Sequence, residues 1–330
     1  MRAWQVVRAA EPAAALERAE LELPDPPPGM LRVRVEACGL GLPDVFLCRG
    51  SYAMTPERPF TPGQELAGRV LAAGPGARAA VGSRVMAVSA FFLGRGGCAE
   101  EAWALDDFCF PVPDEMPAAE AAAFAIPCHT AWVGLVQRGG LREGECLLVT
   151  GGAGGTGSAA IQLGRALGAR VFATARGAER ARFCRELGAE AVIDPGDADW
   201  PAALREATGG RGVDVVYDTV GGELFEAATR VVAHEGRLLA IGFASGRWGR
   251  PDPAHMVMHN YSVVGVLPGG YERAVRERAQ SELLALWARG ALRVPLEAPV
   301  AFDSLPEALE RLAAGGVAGK LVLDVSGQDG

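Results

Sequence analysis

The chain has 330 residues, 49% hydrophobic and 22% charged, which is enough for about two domains with cores of their own. Its formal net charge is −8, and Lys and Arg are scattered, not clustered, which argues against a nucleic-acid partner or a membrane surface. No apolar run reaches the length of a membrane span, and residues 1–12 (MRAWQVVRAAEP) lack the apolar stretch of a signal peptide. The 7 cysteines include no C-x-x-C pair, so reduced thiols and a cytoplasmic location are expected.

Residues 1–7 and 31–37 (LRVRVEA) read as strands, the second alternating apolar and polar. PDPPPG at 24–29 is a turn-rich connector. Short strands come next at 65–73, 83–89 and 99–104, punctuated by Gly and Pro, as in a compact β-rich domain with irregular loops. Residues 114–125 read as an Ala-rich helix and 132–138 as a second one.

The stretch 145–168, ECLLVTGGAGGTGSAAIQLGRALG, organises the middle of the chain. An apolar strand (146–149) runs into a glycine turn and then into a helical pattern. That context makes Gly152, Gly154 and Gly157 a G-x-G-x-x-G dinucleotide signal. Glycines let backbone approach a pyrophosphate, and the new helix offers unpaired N–H groups to its charge. The cofactor-binding candidates here are Gly152, Ala153, Gly154, Gly155, Thr156 and Gly157. Five more strand-like runs lie at 169–175, 191–194, 213–220, 236–242 and 261–266. Six strands alternating with helices predict an α/β fold, a Rossmann doubly wound parallel six-stranded sheet over residues 121–268. Past it, 271–288 reads as a helix, 296–302 as a strand, 305–314 as a helix and 320–325 as a strand. The tail is expected to pair with the N-terminal region, giving a discontinuous first domain of residues 1–120 and 269–330.

The end of the second strand bears on the cofactor. An NAD site usually has Asp or Glu there for the ribose 2′-OH. Here the first acid is Glu179, already inside the next helix, while Arg176 and Arg180 suit a 2′-phosphate, so NADPH is expected. Gly242, Phe243 and Ser245 come after the fifth strand, at the sheet edge where ligands bind.

Several segments carry a resemblance along nearly the whole chain: Ala37-Cys38-Gly39 to Asp44, Pro59-Phe60-Thr61-Pro62-Gly63-Gln64-Glu65-Leu66-Ala67-Gly68, Gly96-Gly97-Cys98-Ala99-Glu100, the glycine turn, and Gly319-Lys320-Leu321-Val322-Leu323. The chain resembles the medium-chain dehydrogenase/reductase superfamily, most closely its zinc-independent quinone oxidoreductase (zeta-crystallin-like) branch. The resemblance implies that the β-rich part is a GroES-like catalytic domain. It implies that Thr130 lies beside the nicotinamide, that Arg180 stands where the branch has a phosphate-binding Lys, and that Leu267 and Lys320 fall in cofactor-lining segments. Tyr52 matches a Tyr lining the substrate pocket, where it is a hydrogen-bond donor to the acceptor carbonyl or else a packing aromatic. His129 reads equally as structural or as a proton donor.

Zinc alcohol dehydrogenases of the superfamily have Cys at the position of Gly41 and His at that of Gln64. Glycine supplies no ligand and an amide is a poor one, so no metal is expected. Without a Lewis acid, the chemistry left is hydride transfer from NADPH to an already electrophilic small-molecule substrate, a quinone or α,β-unsaturated carbonyl. Two other readings are a reductase of 2-enoyl thioesters or 2-haloacrylate-type acids, with Arg49, Arg58 or Arg95 as a basic pocket residue, and a low-turnover NADPH-binding protein with a structural or sensing role. Analogy with the family implies a homodimer joined through the sixth strands.

Overall fold

A computed structural model describes residues 1–327. The chain divides into two compact units, Met1–Ile126 with the segment from Val294 onward, and Pro127–Arg293. The sequence expectation set these boundaries at 120/121 and 268/269. Both lie later in the structure, at 126/127 and 293/294; the second moves furthest because the 16-residue helix Arg273–Ala288 belongs to the second unit. There its Gln280 meets His129 at 2.7 Å and its Glu282 accepts the Trp132 indole N–H at 2.7 Å.

The first unit is built on antiparallel strands. Met30–Leu40 pairs with Glu65–Ala73, which pairs with Arg84–Ser89, which pairs with Glu101–Pro111. Glu101–Pro111 pairs back onto Met30–Leu40, so the sheet closes on itself. Closure removes exposed edges. Alternate side chains point inward, and Leu31, Val33, Val35, Leu66, Val70, Val85, Ala102 and Ala104 form the core. The tail strand Leu321–Asp324 pairs antiparallel with residues 37–40, as the pairing of tail and N-terminal region anticipated. The expected strand at 296–302 is reduced to Val300–Ala301, and Phe302–Ser304 turns into a short 3-10 helix.

Two helices went unread in the sequence of this unit, Pro12–Ala15 and Leu42–Arg49. The second starts at Gly41, with Pro43 in its first turn and the Asp44 carboxylate accepting the Gly41 N–H at 2.9 Å. This is the return half of a capping box, which fixes where the helix begins. The expected helix at 114–125 appears as Ala118–Ala122, succeeded by a second helix, Ala125–Trp132, after a break at 123–124.

The second unit holds the parallel sheet. Its order is Ser262–Gly265, Val232–Ala240, Val213–Asp218, Cys146–Val149, Arg170–Thr174, Ala191–Ile193. In sequence terms this is 6-5-4-1-2-3, the doubly wound order, with a switch point between the first and fourth strands. Cys146–Val149 and Val213–Asp218 are buried along their whole length. Strands covered on both faces read as continuous apolar runs, which is why the sequence disclosed them. The expected helix at 132–138 is present as a π-helix, Val133–Arg138, which continues the helix Ala125–Trp132 and ends with Gly139 N–H reaching back five residues to Gly134 O at 2.7 Å. No helix among the described residues is long and apolar enough to cross a membrane.

Candidate active site

The glycine turn lies at the switch point of the second unit. Gly151 adopts φ +62°, in the left-handed region that favours glycine. A Cβ on Gly152 would stand 2.9 Å from Ala173 Cβ, and one on Gly157 would stand 2.3 Å from the Gly151 carbonyl oxygen. These two glycines are therefore demanded by packing. Gly154 is different: a Cβ there would meet nothing closer than the Gly151 oxygen at 3.5 Å, and its φ of −80° suits any residue. It is the N-cap of the 12-residue helix Gly155–Ala166 and supplies no side chain to the first-turn N–H groups. Ala153 is buried beneath the turn, and Thr156 lies half-buried in the first helical turn.

A hydrogen-bond lattice that the sequence did not disclose fixes the strand ends around this turn. Thr150 Oγ1 donates to Asp218 at 2.5 Å, Thr219 Oγ1 donates to the Thr150 carbonyl at 2.8 Å, and Gly221 N–H donates to the other Asp218 oxygen at 2.9 Å. Burial raises the Asp218 carboxyl above its ordinary range, and the Thr150, Gly221 and Val220 donors oppose that shift. The loop of Gly242, Phe243 and Ser245 is tied to the same place, by Gly242 N–H to Asp218 O at 3.2 Å and Ser245 N–H to Val220 O at 2.9 Å. Phe243 packs against Trp248 with ring centroids 4.7 Å apart and planes tilted by 36°. The visible signal was an acid at the end of an apolar run: Asp218 closes the buried strand Val213–Asp218, which also carries Asp214.

The remaining candidates of this unit are spread along the sheet. Arg176 is exposed at the end of Arg170–Thr174, and Arg180 lies in the first turns of the helix Ala178–Glu186. Thr130 is buried in the helix Ala125–Trp132. Leu267 is 68% exposed, just past Ser262–Gly265. His129 is buried and hydrogen-bonded to Gln280, and burial lowers its pKa, so it is neutral near pH 7.

In the first unit a buried charge cluster surrounds the positions compared with zinc ligands. Lys320 is 8% exposed; its ammonium donates to the Leu40 carbonyl at 2.9 Å and forms an ion pair with the buried Glu65. Glu65 also accepts the Ile126 N–H at 2.9 Å. Asp44, 1% exposed, accepts the N–H of Gly41 at 2.9 Å and of Gly63 at 3.0 Å. It therefore clamps together the two backbone segments that carry Gly41 and Gln64. Burial pushes the Asp44 carboxyl from 3.8 up to about 6, with the Gly41 and Gly63 donors and Lys320 pulling it down and Glu65 adding to the rise. Asp44 and Glu65 carried no role in the sequence reading; the spacing Gly41-x-x-Asp44 was the available clue.

Tyr52 is half-buried, with its ring 6.4 Å from that of Phe91. Burial raises its phenol above its ordinary range, and the Gln64 side chain offsets part of that. Of the arginines named as candidate anion holders, Arg49 is paired bidentately with Glu11 and Arg95 lies over the Trp103 ring at 5.8 Å. Among the described residues no group of three or more His, Cys, Asp or Glu side chains could hold a metal ion.

Comparison with known proteins adds to this geometry. Residues 27–114 match the alcohol dehydrogenase GroES-like domain, and residues 155–288 match the zinc-binding dehydrogenase family model. The quinone oxidoreductase-like protein 2 homolog of Nematostella vectensis is 31% identical over 301 residues, covering 89% of this chain and 81% of that protein. A probable oxidoreductase from Mycobacterium abscessus is similar in structure, with TM-score 0.86 and 35% identity over 98% of both chains. The quinone oxidoreductase of Escherichia coli, solved in complex with NADPH, superposes with TM-score 0.89 at 25% identity, covering 98% of this chain and 100% of that one. The chain belongs to the medium-chain dehydrogenase/reductase superfamily, in its quinone oxidoreductase branch.

Proposed function

We propose that this protein is an NADPH-dependent, zinc-free reductase that delivers a hydride to a quinone or an α,β-unsaturated carbonyl. The observation that carries the reading is Gly154: glycine stands where neither packing nor φ requires it, at the uncapped start of a 12-residue helix. The space in front of it suits a pyrophosphate, held by Gly152, Gly154, Gly157 and the first-turn N–H groups of Gly155 and Thr156. Arg176 and Arg180 suit a 2′-phosphate, and the NADPH bound by the similar Escherichia coli structure supports that choice. Bound there, the reduced nicotinamide supplies the hydride.

The chain's own contribution is positioning and polarisation. Tyr52 donates a hydrogen bond to the acceptor carbonyl oxygen, where negative charge develops. A phenol is protonated at neutral pH in any case, and burial moves that of Tyr52 further from ionisation. Gly41 has no ligand atom and Gln64 only an amide, which favours chemistry without a Lewis acid. The edge strand Ser262–Gly265, with Val257 73%, Met258 77% and Leu267 68% exposed close by in sequence, supports a homodimer joined at that edge.

The test is oxidation of NADPH and NADH by chelator-treated protein, with a quinone panel beside enone and enoyl-thioester panels. Turnover of quinones or enones with NADPH is expected. Activity that needs added zinc and an alcohol would overturn the reading, and tight NADPH binding with no turnover of any panel would leave a binding protein in its place.

A further inference from the structure

The acid missing from the end of the second strand is supplied by its neighbour. Ala191–Ile193 runs parallel to Arg170–Thr174 with Ile193 opposite Thr174, and Ala175 N–H continues the ladder to Ile193 O at 3.1 Å. Asp194 therefore emerges beside Ala175 and Arg176. Its side chain turns toward them: one carboxylate oxygen accepts the Gly177 N–H at 3.2 Å, and the other accepts the Gly196 N–H at 2.8 Å. Gly177 is itself at φ +79°, so the chain bends back at this point and carries the residue after Arg176 onto the carboxylate.

We infer that Asp194 is a cofactor-specificity residue that restrains the preference for a 2′-phosphorylated nicotinamide dinucleotide over its unphosphorylated counterpart. Any anion gripped by Arg176 lies in the field of a carboxylate bonded to the very next residue. A dianionic 2′-phosphate is repelled there, while a neutral ribose hydroxyl is not and can use the carboxylate as an acceptor. The two backbone donors and Arg176 hold this carboxyl below its ordinary range, so the repulsion is present throughout the neutral range. The adjacent acids are not equivalent. Asp197 uses its side chain to accept the Asp199 N–H at 3.0 Å and has no bond to the 176–177 segment.

The inference rests on the proposed NADPH reading, and the experiment separates the two. The dissociation constants of 2′,5′-ADP and 5′-AMP are measured by calorimetry for the wild type, Arg176→Ala, Asp194→Asn and Asp197→Asn. If the NADPH reading holds, the wild type binds 2′,5′-ADP more tightly than 5′-AMP, and Arg176→Ala erases the difference. Asp194→Asn is expected to tighten 2′,5′-ADP by about three- to tenfold while moving 5′-AMP by less than about twofold. An unchanged ratio of the two constants in Asp194→Asn, or an equal change in Asp197→Asn, would overturn the role of Asp194 whatever the wild-type ratio is. Asp194→Ser, which removes the charge with a different side chain, must reproduce the change in ratio; if it does not, the effect belongs to the new amide and the inference fails.

Discussion

Asp44 is nearly solvent-free and carries a charge above about pH 6, so its replacement by Asn should change stability in a way that depends on pH. The native carboxyl holds its proton up to about 6, whereas the unfolded chain releases it near 3.8. Between those values the native state binds more protons than the unfolded state, so stability falls as pH rises through the window. Complete ionisation costs about 3 kcal/mol, and about 1.4 kcal/mol of that is incurred between pH 5 and pH 8. Asn does not titrate. It loses one of the two backbone bonds to Gly41 and Gly63, which lowers its stability by about 1 kcal/mol at every pH. The stability of Asp44→Asn minus that of wild type should therefore rise by about 1.4 kcal/mol from pH 5 to pH 8, whatever its absolute offset. Urea denaturation of both proteins at matched pH values measures it. An offset that stays flat across the range would refute the argument, because it would mean that the buried carboxyl does not change charge there.

Gly154→Ala should cost no more than about 1 kcal/mol, the disadvantage of Ala at an N-cap, and lose dinucleotide affinity by about tenfold or more, whereas Gly157→Ala should destabilise by about 1–3 kcal/mol through its clash with the Gly151 carbonyl; thermal melts beside nucleotide titrations separate the two. Lys320→Met leaves Glu65 buried without its cation and should cost about 3–5 kcal/mol, and adding Glu65→Gln should recover much of that loss in a double-mutant cycle. Tyr52→Phe retains the ring against Phe91 and gives up only the contact with Gln64, so it should lose about 1 kcal/mol of stability at most and yet lower kcat by about tenfold or more; unchanged turnover would remove Tyr52 from the chemistry.

The parts of this protein that could be read from sequence are those whose cause is local or periodic. The six strands of the parallel sheet announced themselves as apolar runs because both faces are covered. The glycine turn did so because Gly151, Gly152 and Gly157 have no steric alternative. The order of motifs from Gly39 to Lys320 was sufficient for the family. Short elements whose start depends on one bond, such as Leu42–Arg49 with its Asp44 cap, were missed. A strand held by a two-residue ladder, Val300–Ala301, was overdrawn. What tertiary structure alone decided is where charges meet. Asp218 reaches Thr150 across 68 residues, Lys320 meets Glu65 after a separation of 255 positions in the numbering, and Asp194 arrives beside Gly177 because two parallel strands end together. Electrostatic interactions act through space, and a linear sequence carries no distances between residues that folding brings together. Sequence thus determined the scaffold and the position of the glycine turn, and folding determined the charges that surround it.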